Sequence, residues 1–193
     1  RQGLVGSVLN VTGADATRKM QQLAVEGNRL KIPLIFGLDV IHGYRTMFPT
    51  PLGEAASWDM AVIEASARIG ATEAAAAGVH WTFAPMVDVA WDARWGRIME
   101  GSGEDPYLGA QAAVARVHGF QGKDLGAVDT IAACAKHYAA YGFGEGGRDY
   151  NTVDMSEQKL RNVVLPPFKA AAEAGAATFM NAFNEIAGIP STG

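Results

Sequence analysis

Short apolar runs recurring between longer helical stretches constrain this 193-residue chain more than any other feature. VGSVLNV (5–11), PLIFGLDV (33–40), HWTFAPMVDV (80–89), IAACAKHYAA (131–140) and ATFMNAF (177–183) read as strands. Ala14 to Leu30, Met60 to Gly78, Leu108 to Phe120 and Ser156 to Gly175 read as the helices between them. The first helix places Met20, Leu23, Ala24 and Leu30 on one face. The second and fourth end in glycine at the C′ position, and Ser156 caps a helix that Pro166–Pro167 should interrupt. Strands that are apolar almost throughout are buried on both faces, which points to a parallel sheet covered by its own crossover helices. The residues before Gly3 read as a helix end.

The polar residues are distributed unevenly over these strands. Asp39 and His42 follow the second, Asp88 and Asp92 the third, Lys136 and His137 sit late in the fourth, and Asn181 and Asn184 close the fifth. Each strand turns polar at its C-terminal end and runs into a glycine-containing loop, where (β/α)8 barrels and open α/β sheets collect their functional residues. A dinucleotide binder should carry a glycine fingerprint after its first strand, and SVLNVTGADAT has none. The expected fold is therefore α/β, a TIM-barrel-type (β/α)8 architecture with about five βα units present.

Composition excludes several function classes. The length suits one core, and no repeat or linker divides it. A net charge of −4 without a basic cluster argues against nucleic acid or an anionic membrane as partner. No apolar run reaches the ~20 residues that a membrane span needs. Cys134 is a lone cysteine, and the four histidines lack the paired spacing of a metal site. No metal or cofactor is implied. The first residues lack an initiator methionine and the order of a signal peptide, so the chain reads as starting inside a fold.

WDARWGRIMEGSGEDPY (91–107) packs Asp92, Arg94, Arg97, Glu100, Glu104 and Asp105 among two tryptophans and three glycines. A solvated charge run would carry lysine and serine instead. Indole faces beside guanidinium and carboxylate groups suit a sugar ring, with its apolar C–H faces and hydroxyl rim. A structural knot of salt bridges is the competing reading. For other residues the bland reading prevails: His42 as a structural hydrogen-bonder, His80 and His118 as packing residues, Asp88 and Asp92 as braces of the arginine-rich loop, Glu104 and Asp105 as a helix cap. GFGEGGR (142–148) lacks the lysine of a phosphate-binding loop and reads as flexible.

GLDVIHG, APMVDVAWDARWGRIMEGSGEDPYL, AKHYAAYG, YNTVDMSEQKLRNVVLPPFKAAAEAGA and MNAFNEIAGIP, in this order and spacing, resemble the first-domain motifs of glycoside hydrolase family 3, nearest its bacterial β-glucosidase branch. The likeness runs over essentially the whole chain. It implies a partial barrel domain over residues 1–193 and a β-glucoside or oligosaccharide substrate. It implies that Asp39 accepts hydrogen bonds from two sugar hydroxyls, that Arg97, Lys136 and His137 hold others, and that Glu100 orients Arg97. Met180 and Phe183 match the positions walling the ring, the second being often tyrosine in the family. The family's nucleophile is an aspartate in an S-D-W or S-D-H motif beyond the N-x-x-x-G-x-P segment, and neither motif occurs before Gly193. The nucleophile and acid/base are thus expected outside this chain, in the remainder of a parent enzyme. A run with a second histidine, as in the hexosaminidase branch, is absent from AKHYAAYGFGEGG. A β-xyloside specificity and a non-catalytic carbohydrate-binding barrel stay open, and the resemblance favours a periplasmic or secreted location.

Overall fold

The computed structural model describes residues 3–192, so the helix end read before Gly3 lies outside the described residues. Five strands run parallel in sequence order: β1 (Ser7–Leu9), β2 (Ile35–Leu38), β3 (Trp81–Thr82), β4 (Cys134–Tyr138) and β5 (Thr178–Asn181). Ladders join β1 to β2, β2 to β3 and β4 to β5. Between β3 and β4 the link is two parallel bridges, Trp81 to Ala132 and Met86 to Lys136. The strands are shorter than the apolar runs suggest. After Thr82 the chain stays extended and buried, but Pro85 has no N–H to give a ladder.

The crossovers carry α1 (Ala14–Glu26), α2 (Pro51–Ala55), α3 (Met60–Ala76) and α4 (Pro106–Gln121). After β4 come a short α5 (Glu157–Lys159), a π turn (Leu160–Val164) and α6 (Leu165–Glu173). Ser156 caps α5 through the Lys159 N–H. The irregularity precedes the prolines rather than falling on them, because Pro166 can donate nothing back to the preceding turn, and the wider π turn absorbs the gap. Four strand–helix units are thus complete. The fifth strand leads into a small hairpin, β6 (Glu185–Ile186) with β7 (Ile189–Pro190), which the strand and helix patterns did not foretell.

The core lies between sheet and helices. Small side chains, Ala67, Ala71, Ala74, Ala113 and Ala171, let the helices approach closely, while Val40, Val117, Phe120, Ile131 and Phe168 fill the remaining volume. Gly119 of α4 sits where a β-carbon would lie 2.5 Å from the Glu64 carbonyl and 2.6 Å from Ala67 Cβ, so only glycine permits this contact with α3. The first helix departs from expectation. It stops at Glu26, where the Gly27 N–H closes on the Leu23 carbonyl, leaving Leu30 beyond it. Of the expected apolar face only Ala24 is buried, with Thr17 beside it, and Leu23 is 58% exposed. Leu4, Val5, Met20, Leu23 and Leu34 instead line an open groove of about 410 Å³.

Candidate functional site

The C-terminal ends of the strands gather the ionised residues, and the parallel register explains how. Lys136 lies opposite Met180 of β5 on one side and is bridged to Met86 on the other. Its side chain crosses to the end of β2, where Nζ donates to Asp39 Oδ1 at 2.9 Å. Lys136 is 3% exposed and Asp39 54%, so a buried ammonium anchors a carboxylate whose outer face is open to solvent. Asp39 caps no helix. The buried pair Arg116–Glu54, 2.6 Å apart, supports this corner from beneath, because Arg116 also donates to the Ile41 carbonyl just past Asp39.

Arg97 comes from the loop after β3. Its Nε and Nη2 donate to the two oxygens of Glu100 at 2.7 and 2.8 Å, a bidentate pair that fixes the guanidinium plane. Burial alone would raise the Glu100 carboxyl. Arg97 outweighs it and holds the group below its ordinary range, with smaller contributions from the Lys136 and His137 charges. The loop is held by Trp95, which is buried, donates from Nε1 to Asp149 at 3.0 Å and packs edge-on against Tyr141 at 5.2 Å. The Arg97 guanidinium lies 5.6 Å from the Tyr141 ring centre. Tyr141 is buried with no hydrogen-bond partner for its hydroxyl, and burial raises its phenol well above the ordinary range.

His137 connects the two halves. Its ring lies 4.9 Å from Tyr141 and 5.2 Å from Phe183, and Phe183 in turn lies tilted against Tyr150 at 5.1 Å. Phe183 is exposed and Met180 half-buried, so both have surface to offer a ligand. All seven residues singled out from the sequence therefore belong to one connected patch: Asp39 touches Lys136, Lys136 faces Met180 and adjoins His137, and Arg97 with Glu100 joins them through Tyr141 and Phe183. Asp39 and Phe183 face solvent, whereas Lys136 and His137 are buried. Two ionised pairs, an imidazole and aromatic faces can hydrogen-bond several hydroxyls while covering an apolar face.

Of the other residues, some fall as expected and some do not. Asp88 does not brace the arginine-rich loop; it is buried against His137. Asp92 does pair within that loop, gripping Arg94, whose guanidinium holds the carboxyl at about 2. Asp105 caps α4 through the Leu108 N–H, whereas Glu104 contributes only its carbonyl, to Trp91. His42 hydrogen-bonds the Phe48 carbonyl. His80 is more than packing: its Nδ1 accepts the Phe36 N–H at 3.2 Å. His118 is exposed in the last turn of α4 rather than packed in the core. The 142–148 loop is closely packed rather than loose, since a β-carbon on Gly147 would come within 3.0 Å of both Arg94 Cβ and Trp95 N. Among the described residues no three His, Cys, Asp or Glu side chains cluster as metal ligands, and no helix is long and apolar enough to cross a membrane.

Tyr141 and Tyr150 are the site residues that the sequence reading passed over, and Asp88 is the one whose partner it missed. Tyr141 had a signal, four residues after His137 in the same motif, but an aromatic beside alanines reads as core.

The profile of the glycosyl hydrolase family 3 N terminal domain matches residues 1–193. A periplasmic beta-glucosidase of Salmonella typhimurium is 45% identical over 192 residues, covering all of this chain and 25% of the relative. A beta-xylosidase of Formosa agariphila is 37% identical over 185 residues, covering 89% of this chain and 26% of the relative. The crystal structure of a beta-glucosidase from Listeria innocua in complex with glucose superposes with a TM-score of 0.94 at 45% identity, over 98% of this chain and 27% of that one. The chain spans about a quarter of the length of the relatives it matches.

Proposed function

This chain belongs to the family of the glycosyl hydrolase family 3 N-terminal domain, and from that premise we propose that it supplies the sugar-holding half of the active site of a β-glucosidase. In this reading residues 1–193 are part of a catalytic barrel domain, and the five parallel strands are an arc of a closed (β/α)8 barrel. Asp39 accepts two hydroxyls of the non-reducing glucose, Lys136, Arg97 and His137 bind others, Glu100 orients Arg97, and Met180 and Phe183 wall the ring. The reaction retains anomeric configuration. The two carboxylates that break the bond, about 5–5.5 Å apart in a retaining enzyme, come from the remainder of the parent protein. A periplasmic or secreted location follows from the likeness to the Salmonella relative.

The observation that carries this reading is the Lys136–Asp39 pair, a buried ammonium holding a half-exposed carboxylate at the strand ends. An ionised acceptor of this kind bonds a sugar hydroxyl about twice as strongly as a neutral group. It penalises an epimer whose hydroxyl points away from the carboxylate by about 1–3 kcal/mol. The test is hydrolysis of aryl β-glucoside and aryl β-xyloside by the full-length protein, with glucose titration alongside. Glucoside turnover lost in Asp39→Ala is expected. Preference for the xyloside would favour the second reading, which rests on the Formosa likeness, and glucose binding without turnover of either would make the protein a carbohydrate-binding barrel.

A further inference from the structure

We propose that Asp88 is a positioning residue that fixes which nitrogen of His137 faces the sugar. The inference rests on the reading of His137 as a sugar contact. Asp88 Oδ2 accepts two hydrogen bonds from the same residue, from the His137 main-chain N–H at 2.9 Å and from ring Nδ1 at 2.8 Å. Both side chains are 1% exposed, so no water competes for these bonds. An ionised carboxylate can only accept, so Nδ1 carries a hydrogen whether the ring is neutral or protonated. The main-chain bond holds Oδ2 in place, and an edge-on contact with Tyr141 and a tilted contact with Phe183 flank the ring. What remains for a ligand is Nε2, an acceptor while the ring is neutral and a donor once it is protonated. Oδ1 of Asp88 is buried with no partner, so one of the two carboxylate oxygens makes no bond. A purely structural role would be served as well by a neutral side chain.

A merely structural Asp88 and a positioning Asp88 differ in coupling. In the full-length protein, Asp88→Asn and His137→Asn are each expected to weaken glucose inhibition about tenfold or more, the scale seen when a partner that orients an imidazole is removed. The double variant should be no weaker than His137→Asn alone, because Asp88 acts only through the ring. KM for an aryl β-glucoside should rise in step, with a smaller change in kcat. Equal additional loss in the double variant, or a lowered melting temperature with glucose inhibition unchanged, would overturn the proposal. A measurement on the unmodified protein covers the case in which the variants do not fold. Nitrogen NMR of ¹⁵N-histidine-labelled enzyme at high pH should find His137 protonated at Nδ1, and the Nε2–H form would sink the idea. Wild-type protein that neither binds glucose nor cleaves the glycoside defeats the sugar reading instead, while the NMR result still decides the tautomer.

Discussion

At the residue scale the Lys136–Asp39 pair is asymmetric, and the asymmetry predicts unequal mutants. Asp39→Ala strands an ammonium that is 3% exposed, so stability should fall by about 1–3 kcal/mol. Lys136→Met leaves a carboxylate that water can reach and fills the buried volume with an apolar chain, so its loss should be smaller, about 1 kcal/mol or less. Both should abolish glucose binding. Urea melts paired with glucose titration separate the two effects; equal stability losses would refute the asymmetry. His80 sets a pH dependence. Burial lowers its pKa from 6.5, so the folded state disfavours the proton that the unfolded chain accepts. Stability from this residue is complete above about pH 6.5 and is lost as the pH falls toward the lowered folded value. The urea midpoint should therefore drop between pH 7.5 and 5 more steeply in the wild type than in His80→Asn.

Elements are coupled by charge as well as by packing. Glu54 of α2 and Arg116 of α4 are 62 positions apart, yet bond at 2.6 Å with almost no exposure. Burial depresses the Arg116 pKa and the Glu54 carboxylate opposes it, so removing one partner leaves a bare buried charge. Glu54→Ala should cost about 3–5 kcal/mol, and Glu54→Leu with Arg116→Met should recover most of it. Thermal melts of the singles and the double test this; additive losses would exclude a pairwise origin. The same pair shows where sequence reasoning stops. The strand–helix alternation was legible because periodicity is local, and so was the placement of Asp39, Lys136 and His137, because polar residues inside or just after apolar runs stand out; Arg97 stood out only as part of a charged, tryptophan-rich run, and the family resemblance singled it out. Nothing local tells that Glu54 and Arg116, each looking like a solvated helix charge, meet in the interior. Asp88 was visible, but its partner 49 residues on was not. The early end of β3 and the displaced helix irregularity follow from where proline withholds its N–H, which depends on the neighbours available in space.

For the whole molecule the open ends of the sheet matter most. Among the described residues β1 pairs only with β2, and β5 only with β4, so each has one edge without a neighbour. Leu4, Val5, Leu9 and Ile35 are exposed in or beside the first two strands and Phe179 on the last, which gives these edges an apolar surface. An unpaired apolar edge is a template for another strand, and the groove beside Leu23 adds to it. A polypeptide of residues 1–193 alone should therefore associate, its scattering mass rising with concentration, and should not hydrolyse an aryl β-glucoside. If the chain is an arc of a closed barrel, as proposed, a longer polypeptide that closes it should suppress that association and show turnover, because in a closed barrel every edge finds a partner. A monodisperse 20.3 kDa species that melts cooperatively would show that the exposed edges are satisfied within the arc itself. Glycoside turnover by that species, abolished in Asp39→Ala, would go further and place the bond-breaking carboxylates inside these residues.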